Sequence, residues 1–211
     1  MTELQLRSQI CEVGKWMWDR GIIGAIEGNI SCRLDHDSML CTPSGNHKGT
    51  LKPEDIVKTD YSGGVIGVGK ASSEIQLHLE IYDKRTDCKA IVHAHPPTAT
   101  ALAVIGETIP DNYLPEAAVV LGSVAFVPFA MPGTEEMRTV IAPFLEFHKT
   151  FLLEQHGAVV LGKDLVDAFT RMETLERICK VLHLARQIGL PKPLPPEAFE
   201  FLLKNSLNAK L

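Results

Sequence analysis

The sequence is poor in aromatic residues and has no excess of positive charge, no basic cluster and no long apolar run. Aromatic residues make up 6% of its 211 residues, and the formal net charge is −5. Nucleic-acid-binding proteins typically carry a basic patch, so we expect no nucleic-acid partner. No apolar run reaches the roughly 20 residues that span a bilayer. The first residues lack the basic-then-apolar order of a signal peptide. We therefore expect no membrane partner and a cytoplasmic location.

Paired cysteines and two common catalytic motifs are also missing. The five cysteines are an odd number, and none form a Cys-x-x-Cys pair. This argues against a cysteine zinc site and favours reduced thiols in the cytoplasm. Neither Gly-x-Ser-x-Gly nor Gly-x-x-x-x-Gly-Lys occurs, so a serine hydrolase or a P-loop enzyme has no support.

The order of apolar segments predicts one α/β domain. An amphipathic helix is expected over residues 4–20, and strands over 30–34 and 39–42 form a hairpin. Further strands are predicted at 65–68 and 119–121, and a helix at 134–147. Hairpins with such short links exclude an all-parallel sheet, so we predict three layers of helices and sheet over residues 1–190. The proline-rich tail, 191–211, holds a candidate short helix at 197–205.

Three histidines form the most informative pattern. His93 and His95 follow a short apolar run, and His156 follows the apolar run Phe151–Leu153. Residues two apart on a strand point to the same face, so a strand ending at His93 would present both histidines together. Catalytic zinc sites can bind the metal through three imidazoles and leave its fourth coordination position open. We expect the two strands to end side by side; a His-x-His pair alone would equally fit an exposed edge or a hydrogen-bonded core.

Three segments rich in Gly, Ser and Asn add candidate ligand-binding groups, although each also fits a plain turn or cap. In Glu27–Ser31, glycine allows close approach of a ligand and asparagine offers an amide donor. In Thr42–Gly45, a hydroxyl and a free amide can cradle an anion. Lys70–Glu74 opens a predicted helix, whose free amides and dipole suit a phosphate.

Glu74 stands out because a carboxylate beside an open metal site is suited to moving a proton. It could ligate the metal or act as a general base, and the plainer alternative is that it only stabilises the start of the helix. His78, within the same predicted helix, is interpreted as a structural or surface residue.

Taken in order, these segments resemble the class II aldolase and adducin-head family, most closely its fuculose-phosphate aldolase branch. The resemblance covers about residues 4–185. Each motif alone is weak, but five in the family's order are specific. The matching segments are Gly28–Ser31, Thr42–Gly45, Ser72–Glu74, His93–His95 and Gln155–Gly157.

The resemblance implies an αβα sandwich around a mainly antiparallel central sheet, assembled as a homotetramer with sites between subunits. It implies one Zn²⁺, or Mn²⁺ or Co²⁺, per subunit, with a fourth contact from Glu74 that becomes the acid/base once substrate binds. The implied metal ligands are His93, His95, His156 and Glu74. The implied phosphate-binding residues are Gly28, Asn29, Ser44, Gly45, Ser72 and Ser73.

The implied activity is that of a metal-dependent aldehyde-lyase acting on a small sugar phosphate. It would cleave a ketose 1-phosphate, such as L-fuculose 1-phosphate or a 5-deoxy- or 5-methylthio-ribulose 1-phosphate. The products would be dihydroxyacetone phosphate and an aldehyde, formed through a metal-stabilised enediolate. The apolar stretch Phe126–Gly133 favours an aldehyde with a hydrophobic end.

A second acid/base must serve the C4 oxygen, and here the chain departs from the family pattern. Tyr113 is displaced by one residue from the family's tyrosine, and Glu116 lies about where related methylthioribulose-phosphate dehydratases carry a glutamate. We favour Glu116 slightly. The alternatives are a sugar-phosphate 4-epimerase, a dehydratase of the same family, and a non-catalytic adducin-like scaffold, which would not need the intact histidines.

Overall fold

Seven strands form a single sheet in the computed structural model, which describes residues 1–206. The strands are β1 (Asn29–Arg33), β2 (Ser38–Cys41), β3 (Val57–Asp60), β4 (Ala90–Ala94), β5 (Val124–Val127), β6 (Thr150–Leu153) and β7 (Gly157–Gly162). Their order across the sheet is β3-β2-β1-β4-β7-β6-β5. Neighbouring strands are antiparallel except β5 and β6, which are parallel. The sheet is therefore mixed, with its parallel pair at one edge.

Within residues 1–206, six α-helices accompany the sheet. They are α1 (Glu3–Asp19), α2 (Ile75–Lys84), α3 (Pro97–Val104), α4 (Glu135–Ile141), α5 (Leu165–Ile188) and α6 (Pro196–Lys204). The predicted first helix is confirmed within one residue at each end. It begins where the Thr2 hydroxyl accepts a hydrogen bond from the Gln5 backbone amide and the Gln5 side-chain oxygen accepts one from the Thr2 backbone amide, a reciprocal cap.

Apolar side chains cover both faces of the sheet. In β4, Ala90 and Val92 join a core with α1, α3 and α5, whereas Ile91 joins a core with α2 and α4. This alternation follows from the two-residue period of a strand. His93 falls on the same face as Ile91, so it is directed toward the α2 side of the sheet.

Three predicted elements differ from the observed ones. Residues 119–121 lie in a π-helical turn, Ala117–Leu121, because a short apolar run does not distinguish strand from helix. The segment 65–68 keeps only an isolated bridge between Thr59 and Val65, since Gly67 adopts a positive φ of 98° that interrupts a strand. The helix predicted over 134–147 ends at Ile141 and continues as a 3₁₀ turn.

The tail packs back on the domain through its first residues. The Leu194 amide donates a hydrogen bond to the Asn112 carbonyl at 2.7 Å, and α6 lies within a residue of the predicted 197–205. The division into a domain of residues 1–190 and a tail stays a prediction, and residues 207–211 lie outside the described part. Over residues 1–206, no helix is long and apolar enough to cross a membrane.

Candidate active site

The three predicted histidines meet at one end of the central strands. His93 lies in β4, His95 follows directly, and His156 sits in the turn between β6 and β7. One ligand nitrogen from each lies within 4.8 Å of the other two. The expectation that the strands before His93 and His156 are neighbours is wrong, because β7 pairs with both β4 and β6 and lies between them.

The hydrogen bonds of the imidazoles leave nitrogen lone pairs directed into the cluster. His93 Nδ1 lies 2.9 Å from the Ala158 carbonyl, which can only accept, so in the neutral imidazole the proton is on Nδ1 and Nε2 carries the lone pair. Nε2 of His95 lies 3.2 Å from Nε2 of His93. Nδ1 of His156 is buried, with no hydrogen-bond partner in the part of the chain that the structure describes. Fixing Nδ1 of an imidazole by a carbonyl is a typical way to orient Nε2 toward a metal.

Glu74 completes the cluster from the other side. Its two carboxylate oxygens lie 3.3 Å from His93 Nε2 and 3.1 Å from His156 Nε2. The Asn29 side-chain amide donates to the same carboxylate at 2.9 Å. Burial opposes ionisation of Glu74, but the charge of His93 and the hydrogen bonds from His156 and His93 outweigh it, so the pKa of Glu74 lies well below its ordinary value. The carboxylate is therefore ionised at neutral pH.

The donor set fits a divalent metal. Two ligands about 2.0–2.1 Å from a tetrahedral zinc lie about 3.3 Å apart. Three separations in this set are 3.1–3.3 Å: the Glu74 oxygens to Nε2 of His93 and of His156, and Nε2 of His93 to Nε2 of His95. Burial, together with the nearby His93 and His156, lowers the pKa of His95 to about 3. This keeps the imidazole neutral, as metal ligation requires.

Two glycines allow the backbone to close around the histidines. Gly28 has a φ of 74°, and a Cβ there would lie 2.8 Å from the His93 carbonyl oxygen. A Cβ on Gly157 would lie 2.6 Å from both the Ala94 carbonyl oxygen and Cδ2 of His95. A larger residue at either position would push directly on the strand end that carries two ligands.

Glu176, which the sequence analysis did not single out, secures the helix that follows His95. Its carboxylate accepts hydrogen bonds from the amides of Thr98 and Ala99 at 3.0 Å and from the Thr98 hydroxyl at 2.6 Å. It thus caps α3 from α5. The available sequence signal was indirect, since α3 opens with Pro96-Pro97 and has no capping side chain of its own.

The segments predicted to bind phosphate are brought together. The Ser44 amide donates to the Lys70 carbonyl at 3.0 Å, and Pro43 and Ala71 form a β-bridge. Gly45 is exposed with a φ of 74°, and Ser73 is also exposed. The Ser72 hydroxyl accepts from the Glu74 amide at 3.3 Å. The two loops therefore lie side by side at the start of α2.

The two candidates for the second acid/base lie outside this cluster. Tyr113 is half-buried against the α1–α3–α5 core, and Glu116 is exposed just before the π-helical turn. Over residues 1–206 neither forms a hydrogen bond with Glu74 or with the histidines. Within one chain the cluster thus contains a single carboxylate.

Comparisons with known proteins match most of the chain. The model of the family described as Class II Aldolase and Adducin N-terminal domain matches residues 8–183. A 3-oxo-tetronate 4-phosphate decarboxylase of Haemophilus influenzae is 34% identical over 86% of this chain and 88% of its own length. An L-fuculose phosphate aldolase of Methanocaldococcus jannaschii is 35% identical over 83% and 94%.

A solved structure shares the whole architecture. The crystal structure of YgbL from Escherichia coli superposes with a TM-score of 0.89 at 28% identity, covering 95% of this chain and 99% of that one.

Proposed function

The chain belongs to the class II aldolase and adducin N-terminal domain family and is a metal-dependent lyase, and from this premise we propose that it cleaves a ketose 1-phosphate. The products are dihydroxyacetone phosphate and an aldehyde. The observation that carries the proposal is the position of Glu74, whose carboxylate oxygens lie 3.1–3.3 Å from Nε2 of His156 and His93. A base at that distance from the ligand nitrogens is next to any carbonyl substrate bound there.

Glu74 is the residue that moves the proton at carbon. When the C3–C4 bond of the ketose phosphate breaks, its electron pair stays on C3 and the C4 hydroxyl loses its proton to become the aldehyde. Glu74 then gives a proton to C3, and in synthesis it removes that proton. The Asn29 amide holds the carboxylate in place at 2.9 Å, so the proton is delivered from a fixed direction.

His93, His95 and His156 would hold the metal. When bound, a divalent ion supplies Lewis-acid stabilisation of the negative charge that develops on the substrate oxygens. We favour zinc because three imidazoles with one carboxylate beside them are donors that zinc commonly takes, while manganese and cobalt accept the same donors.

The neighbouring loops would hold the phosphate. Exposed Gly45 and Ser73 offer amides and a hydroxyl beside the start of α2, where the helix dipole favours an anion. Family members act on sugar phosphates, and this anchor fixes the reacting carbon relative to Glu74. We propose that Gly28, Asn29, Ser44, Gly45, Ser72 and Ser73 form it.

The proposed assembly is a cytoplasmic homotetramer. Neither Tyr113 nor Glu116 reaches Glu74 within its own chain, and cleavage needs a group that takes the C4 hydroxyl proton. A site formed between subunits would supply that group from a second copy, and Glu116 is exposed enough to serve a neighbour.

Decarboxylation of 3-oxo-tetronate 4-phosphate is the second candidate. The chain is 34% identical to an enzyme named for that reaction. Loss of CO₂ from C2 leaves the electron pair beside the carbonyl, and protonation there gives the same product, dihydroxyacetone phosphate. Because CO₂ leaves without proton transfer to a second group, this reaction fits a cluster with a single carboxylate.

The test is to incubate the purified, metal-loaded protein with both substrate types and to follow dihydroxyacetone phosphate by coupled reduction. Aldehyde and CO₂ are measured separately. Aldolase activity releases one aldehyde per dihydroxyacetone phosphate, and decarboxylase activity releases CO₂. A 4-epimerase or a dehydratase would release no dihydroxyacetone phosphate, and a scaffold would do nothing.

Two variants make the result specific. Glu74→Gln should keep the metal and lose proton exchange between water and dihydroxyacetone phosphate. His36→Ala, at an exposed histidine far from the cluster in sequence, should behave as the unaltered protein. Normal exchange in Glu74→Gln would refute the assignment of Glu74 as the base.

A further inference from the structure

A second set of buried polar contacts joins β1 to α2 one turn beyond Glu74. The Ser31 hydroxyl lies 2.6 Å from His78 Nδ1 and 2.9 Å from the Tyr82 hydroxyl. Ser31 is 0% exposed, His78 1% and Tyr82 2%. These groups are within the α2-side core, where apolar side chains would pack without polar partners.

The contact between Ser31 and His78 is arranged like the hydrogen bond between Asn29 and Glu74. Asn29 and Ser31 are two apart on β1, so they face the same side of the strand. Glu74 and His78 are four apart at the start of α2, so they lie on the same face of the helix. The two pairs, Asn29–Glu74 and Ser31–His78, are therefore parallel ties between the same strand and the same helix.

Stability alone does not account for His78. Its Nε2 is buried and has no hydrogen-bond partner among residues 1–206, and an unpaired buried polar atom is costly. An apolar side chain of similar size would avoid that cost. The side chain present is nevertheless a histidine, and its one hydrogen-bonded nitrogen contacts Ser31.

We propose that Ser31 and His78 are positioning residues for Glu74. Their hydrogen bond fixes the first turn of α2 against β1, both along the strand and in rotation about the helix axis. Glu74, at the N-terminal end of that turn, is then held where Asn29 and the two histidine nitrogens meet its carboxylate. The inference rests on the proposed function, because it concerns delivery of the proton by Glu74.

The test compares three variants in proton exchange at C3 of dihydroxyacetone phosphate, used as the probe. Ser31→Ala removes the tie, and we expect kcat to fall by about 10- to 100-fold, the loss that follows a misplacement of about 1 Å. KM should change less than kcat, because Ser44 and Gly45 of the phosphate-binding set lie on a separate loop, although Ser72 and Ser73 precede α2. Bound metal should stay at the unaltered level, measured by elemental analysis.

Rescue and control variants separate positioning from general destabilisation. His78→Leu should lose kcat like Ser31→Ala, and His78→Asn should regain most of it, because the asparagine amide reaches the place of Nδ1. Tyr82→Phe removes a hydroxyl from the same cluster but keeps the Ser31–His78 bond, so it should retain kcat. Thermal unfolding of each metal-free variant records the stability change independently.

The outcomes separate the two proposals. If Glu74→Gln exchanges normally, the assignment of Glu74 fails, and this inference fails with it. If Glu74→Gln is inactive while Ser31→Ala keeps full kcat, only the positioning role is refuted. Equal losses of kcat in Ser31→Ala and Tyr82→Phe, in proportion to their unfolding temperatures, would also refute it, because they would reflect packing.

Discussion

Replacing Gly157 with alanine should weaken metal binding without unfolding the protein. Gly157 is the first residue of β7 and directly follows His156. An added Cβ would lie 2.6 Å from Cδ2 of His95 and 2.6 Å from the Ala94 carbonyl oxygen. Both distances are below 3.0 Å, so the Ala94 backbone in β4 and the His95 ring both have to shift.

The size of the displacement sets the expected effect. Ordinary contact with a Cβ begins at 3.4 Å, so the gap is short by about 0.8 Å. Metal–ligand distances tolerate about 0.2 Å, so His95 would leave the ligand geometry. We expect at least a roughly tenfold loss of metal affinity, comparable to loss of a supporting contact. Overpacking should cost about 1–3 kcal/mol, which lowers Tm by about 2–12 °C in a domain of this size.

The assay is competition with a fluorescent chelator at fixed metal concentration, alongside thermal unfolding with and without metal. Gly189→Ala is the matched control, because a Cβ there meets nothing within 4 Å and the backbone is extended. Gly157→Ala protein that folds and binds metal as tightly as the control would refute the argument that Gly157 makes room for His95.

Three further predictions concern the supports and the ligands. Glu176→Ala should lower the free energy of unfolding by about 1–2 kcal/mol through loss of the α3 cap. Denaturant titration measures this change, with Glu173→Ala as the control variant. Metal at one hundred times its Kd should add about 2.7 kcal/mol to the free energy of unfolding, as metal titration during thermal unfolding would reveal. The variant His95→Ala should lose this increment. In the metal-free protein, burial opposes protonation of His93 but the charge of Glu74 outweighs it and raises the pKa of His93. The ion pair between His93 and Glu74 stabilises the metal-free fold fully when the pH is below the ordinary histidine pKa. This stabilisation is lost as the pH rises through the raised pKa of His93. Metal competes with that proton, so metal affinity measured across pH should fall by up to about tenfold per unit below the raised pKa of His93.

Local sequence patterns predicted the elements that bear the histidines. Alternation and short apolar runs located β4 and β6, and the ordered motifs identified the family, which the comparisons confirm. The first helix was predicted well because Leu6, Ile10, Val13 and Met17 keep helical spacing, and all four are buried.

Contacts between distant segments escaped prediction because no local pattern encodes them. The insertion of β7 between β4 and β6 depends on pairing across the whole sheet. The cap that Glu176 provides to α3 joins residues 78 apart. The tie between Ser31 and His78 likewise needs β1 packed on α2. The prediction of a strand at 119–121, where the structure has the π-helical turn Ala117–Leu121, is wrong because the apolar run is too short for its periodicity to distinguish a strand from a helix.

The central place of β4 imposes an order on maturation of the enzyme. As the chain is synthesised, β1 can pair with β4 as soon as residue 94 is available, which leaves the other edge of β4 open. That edge stays unpaired until β7 emerges, and His156 arrives immediately before β7. Metal capture by all three histidines therefore coincides with sealing of the sheet. A chain interrupted before residue 156 would leave β4, with His93 on it and His95 just beyond its end, as an unpaired edge strand, a surface prone to aggregation.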